Sequence, residues 1–342
     1  MSAHQSLASP QLYPIAIGEN SVRFASMTRQ TYGASTFLDS RLVTAPGEIL
    51  AIDRGAVQSA AHAMPKPRAW LFHTTFCGST LMSRLLERHG ALVLREPGLL
   101  DTLCGSACNG LDDASKADWH AKLNLLLPLL GRQFEPEMPV IVKGSTACNF
   151  LFPELLEDGS LAIFLHFGLI SHLVATMRTP AHREHFKATL KVLAPAVEAE
   201  VGSLAGVHEY EAAAALWLAQ MRSFIRASAT IPGLASLDTE AFFDTPGEAL
   251  ANVSAFFQLP GSSPAAPIEP KDPLLGRHAK LPEMRYSGDL RQALQEQRRP
   301  LIKDDLARAV RFVAARTAEK PLPAVLPRPL MTGRSLLSPA SS

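Results

Sequence analysis

"WLFHTTFCGSTLMSRLLERHG", residues 70–90, decides the fold. Its apolar start, together with Ala69, reads as a buried strand, "AWLF". A turn of small residues follows. Leu81, Met82, Leu85 and Leu86 then recur on one helix face, with Ser83, Arg84, Glu87 and Arg88 on the other. Strand, small-residue turn and amphipathic helix form the usual cradle for a phosphate. "GST" lets the backbone come close to a ligand, and the helix presents its first amides and positive dipole end. The turn holds no lysine and does not match G-x-x-x-x-G-K-[ST], so the pattern is not that of an ATP- or GTP-hydrolysing loop. A Ser/Thr cap before an amphipathic helix explains the same residues on structural grounds alone.

Working outward, "ALVL" (91–94), "PVIV" (139–142), "LAIFLHF" (161–167) and "LASLD" (234–238) repeat the short, continuous apolar run. Longer helical stretches separate them, among them "WHAKLNLLLPLL" and "EAAAALWLAQMRSFIRAS". Strands of this kind alternating with helices predict an α/β fold, a three-layer parallel sheet with helices on both faces. Residues 1–65 carry short, weakly alternating segments such as "LYPIAI" and are expected to form a small, partly β extension. "AMPKPR" reads as a linker into the main domain, 66–322, and the Pro- and Ser-rich residues 323–342 are expected to be flexible.

Polar residues gather where the strands end. His73 follows the first, Arg95 and Glu96 the second and Lys143 the third; His166 lies near the end of the fourth, and Asp238 ends the fifth. In open parallel sheets the ligand crevice lies outside the carboxyl ends of the strands. The set, with the 74–80 turn, predicts one cleft holding an acid or base, a cation and an anion-binding loop. Singly, each of these residues is also what any strand exit carries.

The net charge of +1 gives no global field for nucleic acid or acidic membrane, so an anion site must be local. No run of 18 apolar residues occurs, which predicts no membrane span. The first residues carry neither a basic nor an apolar leader pattern, and four cysteines without a framework fit a reducing compartment; the expected location is cytoplasmic. Cys104 and Cys108 in "LCGSAC" have no further ligands at zinc spacing, so no metal is expected.

Taken together the segments resemble sulfotransferases that use 3'-phosphoadenosine 5'-phosphosulfate (PAPS), the protein-tyrosine sulfotransferase branch in particular. "TFCGSTLMSRLL" is similar to that family's phosphosulfate loop, "ALVLREP" to the strand bearing its catalytic glutamate, and "IVKGS" to its catalytic-lysine segment. Trp217 resembles a tryptophan of the long helix, and residues 237–260 resemble a recurrent late segment. The likeness covers roughly residues 68–290. It implies a P-loop-like sulfotransferase fold and sulfuryl transfer from PAPS to a hydroxyl or amine of an unknown acceptor, without a metal. Glu96, with His73 as the other candidate, would be the base and Lys143 the leaving-group cation. Thr75, Phe76, Cys77, Gly78, Ser79 and Thr80 would hold the donor, with Ser171 and the late basic stretch Arg277, His278 and Lys280. Two departures stand out: Phe76 occupies the loop's basic position, and "LHFGLISHLVATMR" (165–178) opens without the arginine of the 3'-phosphate pair. The residues leave open a nucleotide- or phosphate-metabolite-binding transferase or kinase-like protein, and a non-catalytic binding protein on the same fold. They are silent on oligomeric state.

Overall fold

In a computed structural model, residues 7–45, 47, 49–260, 272–278, 281–285 and 288–337 are described. An antiparallel sheet of β1 (Leu12–Ile17), β2 (Ser21–Ser26) and β3 (Leu50–Asp53) opens the chain. The main sheet holds β4 (Ala69–His73), β5 (Leu92–Arg95), β6 (Val140–Lys143), β7 (Leu161–His166) and β8 (Leu234–Asp238), in the order β5-β6-β4-β7-β8. Every pair in it is parallel.

Alternation along these strands builds the layers. Trp70, Phe72, Leu92, Leu94, Val140 and Val142 enter one apolar cluster with the long helix Glu209–Thr230. Ala69, Leu71, Val93, Ile141, Ile163 and Leu165 enter a second, with the helices Ser79–Arg88 and Pro246–Phe256. A side-chain period of two thus feeds a core on each face, and the fold is the expected three-layer α/β sheet. No described helix is long and apolar enough to cross a membrane.

Two buried arginines fasten the N-terminal extension to this body. Arg132 donates to the carbonyls of Leu7 (2.9 Å), Ser9 (3.0 Å), Leu12 (2.6 Å) and Leu129 (2.7 Å). Arg95, fully buried, donates to the carbonyls of Tyr32 (2.6 Å), Gly33 (3.1 Å) and Ser35 (3.0 Å) and pairs with Glu87. Each satisfies several guanidinium donors on backbone oxygens, which offsets the cost of keeping so polar a group inside. Arg95, weighed from the sequence as a cation beside Glu96, therefore serves the N-terminal segment instead.

Of the Pro- and Ser-rich stretch 323–342, residues 323–337 are described, and part of them pack on the main domain. Leu326 and Leu336 are buried, and the segment runs along the outer edge of β8. Ser236 donates to the Arg328 carbonyl (3.0 Å), and Leu330 to that of Ser236 (2.9 Å). Proline content argues against a central strand, but an extended segment on a sheet edge tolerates it. Composition had no way to show the two leucine anchors.

Candidate functional site

Strand order sets the location. β4 leads toward β5 on one side while β6 leads across to β7 on the other, so the connections diverge between β4 and β6. That is the crevice where such sheets take ligands. In register, Lys143 lies beside Leu71 of β4 and beside Arg95 of β5. The strand-end residues consequently meet at one edge, above which opens a cleft of about 1740 Å³.

His73, Glu96 and Lys143 form one charged group. Lys143 Nζ donates to Glu96 Oε1 at 2.6 Å and to Thr80 Oγ1 at 3.3 Å, and His73 Nε2 lies 3.4 Å from the same Glu96 oxygen. The His73 ring is fixed by its Nδ1–H, which donates to the Thr74 carbonyl (3.0 Å). Its backbone carbonyl accepts from Asn149 Nδ2 (2.9 Å), which also reaches Gln220 Oε1 (2.6 Å). Burial by itself would raise the Glu96 pKa, but the Lys143 charge and then the His73 interaction hold it well below the ordinary carboxylate range. For His73, burial and Lys143 pull downward, yet its interactions with Cys77 and Glu96 leave the imidazole raised.

Glu96 and His73 line the cleft. Lys143 does not: its side chain is 1% exposed, closed off by Glu96 and Thr80, with the Phe37 ring centroid 5.5 Å from Nζ. It stands directly behind the carboxylate and the loop.

The turn is built for close approach. Gly78, at φ +83°, caps the helix Ser79–Arg88 without any side-chain bond to its first amides. A Cβ there would meet Phe243 Cζ at 2.9 Å. Phe76 and Glu96 also take positive φ, 61° and 50°. Non-glycine residues held in that region cluster where structure is dictated by function. Thr75, Phe76, Gly78, Ser79 and Thr80 line the cleft, while Cys77 is buried with its thiol on the Leu165 carbonyl (3.5 Å).

The cation missing from the turn has neighbours that the sequence did not single out. Phe76 packs against His182 in a tilted arrangement and against His185 edge-on, with ring centroids 4.3 and 5.6 Å apart. His182 Nε2 accepts from Arg178 (2.9 Å), and its Nδ1 is 2.6 Å from Thr179 Oγ1. Arg178 lines the cleft, whereas Arg183 meets Glu209 (3.6 Å) and Arg84 the Gly33 carbonyl (3.3 Å). Across the turn, Arg291 pairs with Glu240 through two contacts, 2.6 and 3.2 Å, and lies 4.3 Å from the Phe243 ring centroid. Arg41, Lys191 and Arg298 complete the cationic lining, against the carboxylates of Glu96 and Asp101. Two of these lining cations are already paired, Arg41 with Asp39 and Arg291 with Glu240.

Ser171 is buried outside the cleft lining and bonds Glu240. His166, at the front of the segment lacking an arginine, is buried, and desolvation lowers its pKa to about 4. It is neutral at pH 7 and supplies no charge. Arg277 and His278 form a short strand paired with Leu281–Arg285, but their side chains, and Lys280 altogether, lie outside the described residues. Arg291 left no sequence signal, because it follows no strand and sits in a helix of ordinary polarity. Phe37 and Arg41 were hidden in the extension, whose segments carry no site pattern.

No protein-family model and no curated protein matches the sequence. Among solved structures, the sulfotransferase domain from the curacin biosynthetic pathway is similar at a TM-score of 0.42 and 12% identity, over 74% of this chain and 99% of that one.

Proposed function

We propose that the chain is a sulfuryl-transferring enzyme, taking an activated sulfuryl group from a PAPS-type donor to a hydroxyl or amine. The observation that carries this reading is the joining, in one cleft, of an uncapped helix N-terminus at Gly78 with the His73–Glu96–Lys143 group. The phosphosulfate end of the donor fits the turn: the amides of Ser79 and Thr80 and their hydroxyls offer donors to it. The donor's 3'-phosphate does not fit at His166, which is neutral and buried. Arg178 and Arg298, which line the cleft, are the cations we assign to it; Arg291 is already paired with Glu240.

Glu96 would accept the acceptor's proton as its oxygen or nitrogen bonds to sulfur. The S–O bond to the donor's phosphate breaks, and its electron pair leaves with the phosphate oxygen. Glu96 is a weak base while Lys143 holds it. Drawing Lys143 toward the new negative charge would both stabilise the leaving group and return basicity to the carboxylate. Phe76 and the neutral His166 favour a second reading, a transferase or kinase-like protein for a nucleotide or phosphate metabolite that lacks a 3'-phosphate.

Thermal unfolding with 3',5'-ADP separates the two. At 100 times its dissociation constant a ligand adds about 2.7 kcal/mol. A rise in Tm with 3',5'-ADP and none with ATP·Mg supports the first reading. A rise with ATP·Mg alone supports the second. No rise with millimolar 3',5'-ADP sinks the proposal.

A further inference from the structure

Five residues of the N-terminal extension, Ala34, Thr36, Phe37, Arg41 and Val43, line the cleft. Leu38 shows how the extension reaches the strand ends. Its amide donates to the Arg95 carbonyl and its carbonyl accepts from the Gly98 amide, both at 2.8 Å. These two bonds straddle Glu96 and Pro97. The Glu96 amide meanwhile donates to the Lys143 carbonyl (2.8 Å). The left-handed turn at Glu96 is thus held by β6 on one edge of β5 and by the extension on the other. So close an approach needs a glycine, because a Cβ on Gly98 would stand 3.1 Å from Asp39 Cα. Tyr13, from β1, donates its hydroxyl to the same Leu38 carbonyl (3.1 Å).

The segment making this contact is a closed loop. The Val43 amide donates to Ser35 Oγ (3.1 Å), the Leu42 amide to the Asp39 carbonyl (3.0 Å), and Arg95 Nε to the Ser35 carbonyl (3.0 Å). Within it, Asp39 holds Arg41 through contacts of 2.9 and 3.1 Å, and the Arg41 guanidinium carbon lies 4.1 Å from the Phe37 ring centroid. The ring, 7% exposed, in turn lies 5.5 Å from Lys143 Nζ. Lys143 keeps two polar partners, Glu96 Oε1 and the Thr80 hydroxyl. An ammonium with so few partners is costly unless water is kept from competing for it, and in a dry setting its field is at its strongest.

We propose that residues 35–43 are a positioning element of the candidate active site, with Phe37 as its key side chain. Phe37 keeps water from the Lys143 ammonium, so that the charge is committed to Glu96 until an anionic ligand group arrives at the turn. Leu38 and Gly98 hold the Glu96 turn in the geometry this pairing needs. What Lys143 is kept for rests on the sulfuryl-transfer reading; the cover over it does not. The extension is on this account a part of the site rather than an appendage to it.

The test is a double-mutant cycle in the whole protein, read as urea midpoints by far-UV circular dichroism. With Phe37 in place, Glu96→Gln leaves the ammonium dry and unpaired. With Phe37→Ala, water reaches it, and the midpoint shift caused by Glu96→Gln is expected to fall to about half or less. A ring that only packs would give additive shifts. Phe37→Met returns apolar bulk without the ring and is expected to restore the full shift. Gly98→Ala, which pushes Asp39 back without altering Phe37, is expected to act as Phe37→Ala does, and carries the comparison where that variant is too unstable. Reductive methylation of Lys143, quantified by mass spectrometry against the half-exposed Lys116, gives an independent reading: about tenfold faster or more in Phe37→Ala and Gly98→Ala. Additive midpoints, or Lys143 labelling at the parent's rate in both variants, overturn the proposal. The 3',5'-ADP thermal shift is measured on the parent sample. Coupled midpoints without that shift remove the sulfuryl-transfer reading and keep the cover; the shift with additive midpoints does the reverse.

Discussion

Removing Glu96 should harm the fold more than removing Lys143, and removing both should harm it less than Glu96 alone. At 2.6 Å, and at the effective dielectric of about 20 that suits such pairs, the gross attraction is about 6 kcal/mol. Desolvation of both groups offsets most of that, which leaves the cost of losing one partner as the measurable quantity. The partners are unequal. Lys143 is 1% exposed, and without Glu96 its ammonium keeps only the Thr80 hydroxyl at 3.3 Å. Glu96, 25% exposed, retains water and His73 when Lys143 is gone. Glu96→Gln should therefore cost about 3–5 kcal/mol, the range for an orphaned buried charge. Lys143→Met should cost about 1–2 kcal/mol, and the double variant should lie close to Lys143→Met. Urea denaturation of the three variants, read by far-UV circular dichroism, gives the energies. Equal costs for the two single variants, or a double variant equal to their sum, would refute the account of a buried cation neutralised by a half-open carboxylate.

Three more expectations come from the same geometry. Gly78→Ala places a Cβ 2.9 Å from Phe243 in a left-handed conformation, so it should cost about 1–3 kcal/mol in denaturant and weaken 3',5'-ADP in a binding titration; unchanged stability would show that the turn relaxes freely. Arg95→Leu strips several backbone carbonyls of their donor and should cost about 3 kcal/mol or more, with faster proteolysis of residues 1–65; resistance equal to the parent's would refute the fastening role. The depressed Glu96 pKa stabilises the fold at pH values above its unfolded pKa, and the contribution fades as pH falls through the folded value, so the stability gap between parent and Glu96→Gln should narrow steadily on acidification below about pH 5. A gap that widens in acid contradicts the sign.

The five strands of the main sheet were legible because each is a short apolar run serving two cores at once, and such runs have no other use. The strand-end group was legible for the same reason: once β4, β5 and β6 are placed, His73, Glu96 and Lys143 must share an edge. The cationic side of the cleft was not. His182, His185 and Arg291 come from helices whose own patterns record burial and solubility, and Arg178 from the bend between two helices; only tertiary packing brings them to the cleft. The position of Lys143 behind rather than within the cleft was equally hidden, since a strand pattern fixes which end a residue occupies but not what is laid over it. His166 had the right address and the wrong state, because its neutrality comes from burial that no local sequence reveals.

The extended residues along β8 have a meaning for the life of the protein in a crowded solution. A five-stranded open sheet has two edges, and a bare edge is a template for any passing extended chain. Residues 328–330 occupy the β8 edge with their own backbone, and Arg334 adds its amide to Asp238 (2.7 Å) at the strand's end. The β8 edge is thus taken by the chain's own backbone. A chain ending at residue 322 would keep every residue of the His73–Glu96–Lys143 group and would still be expected to precipitate.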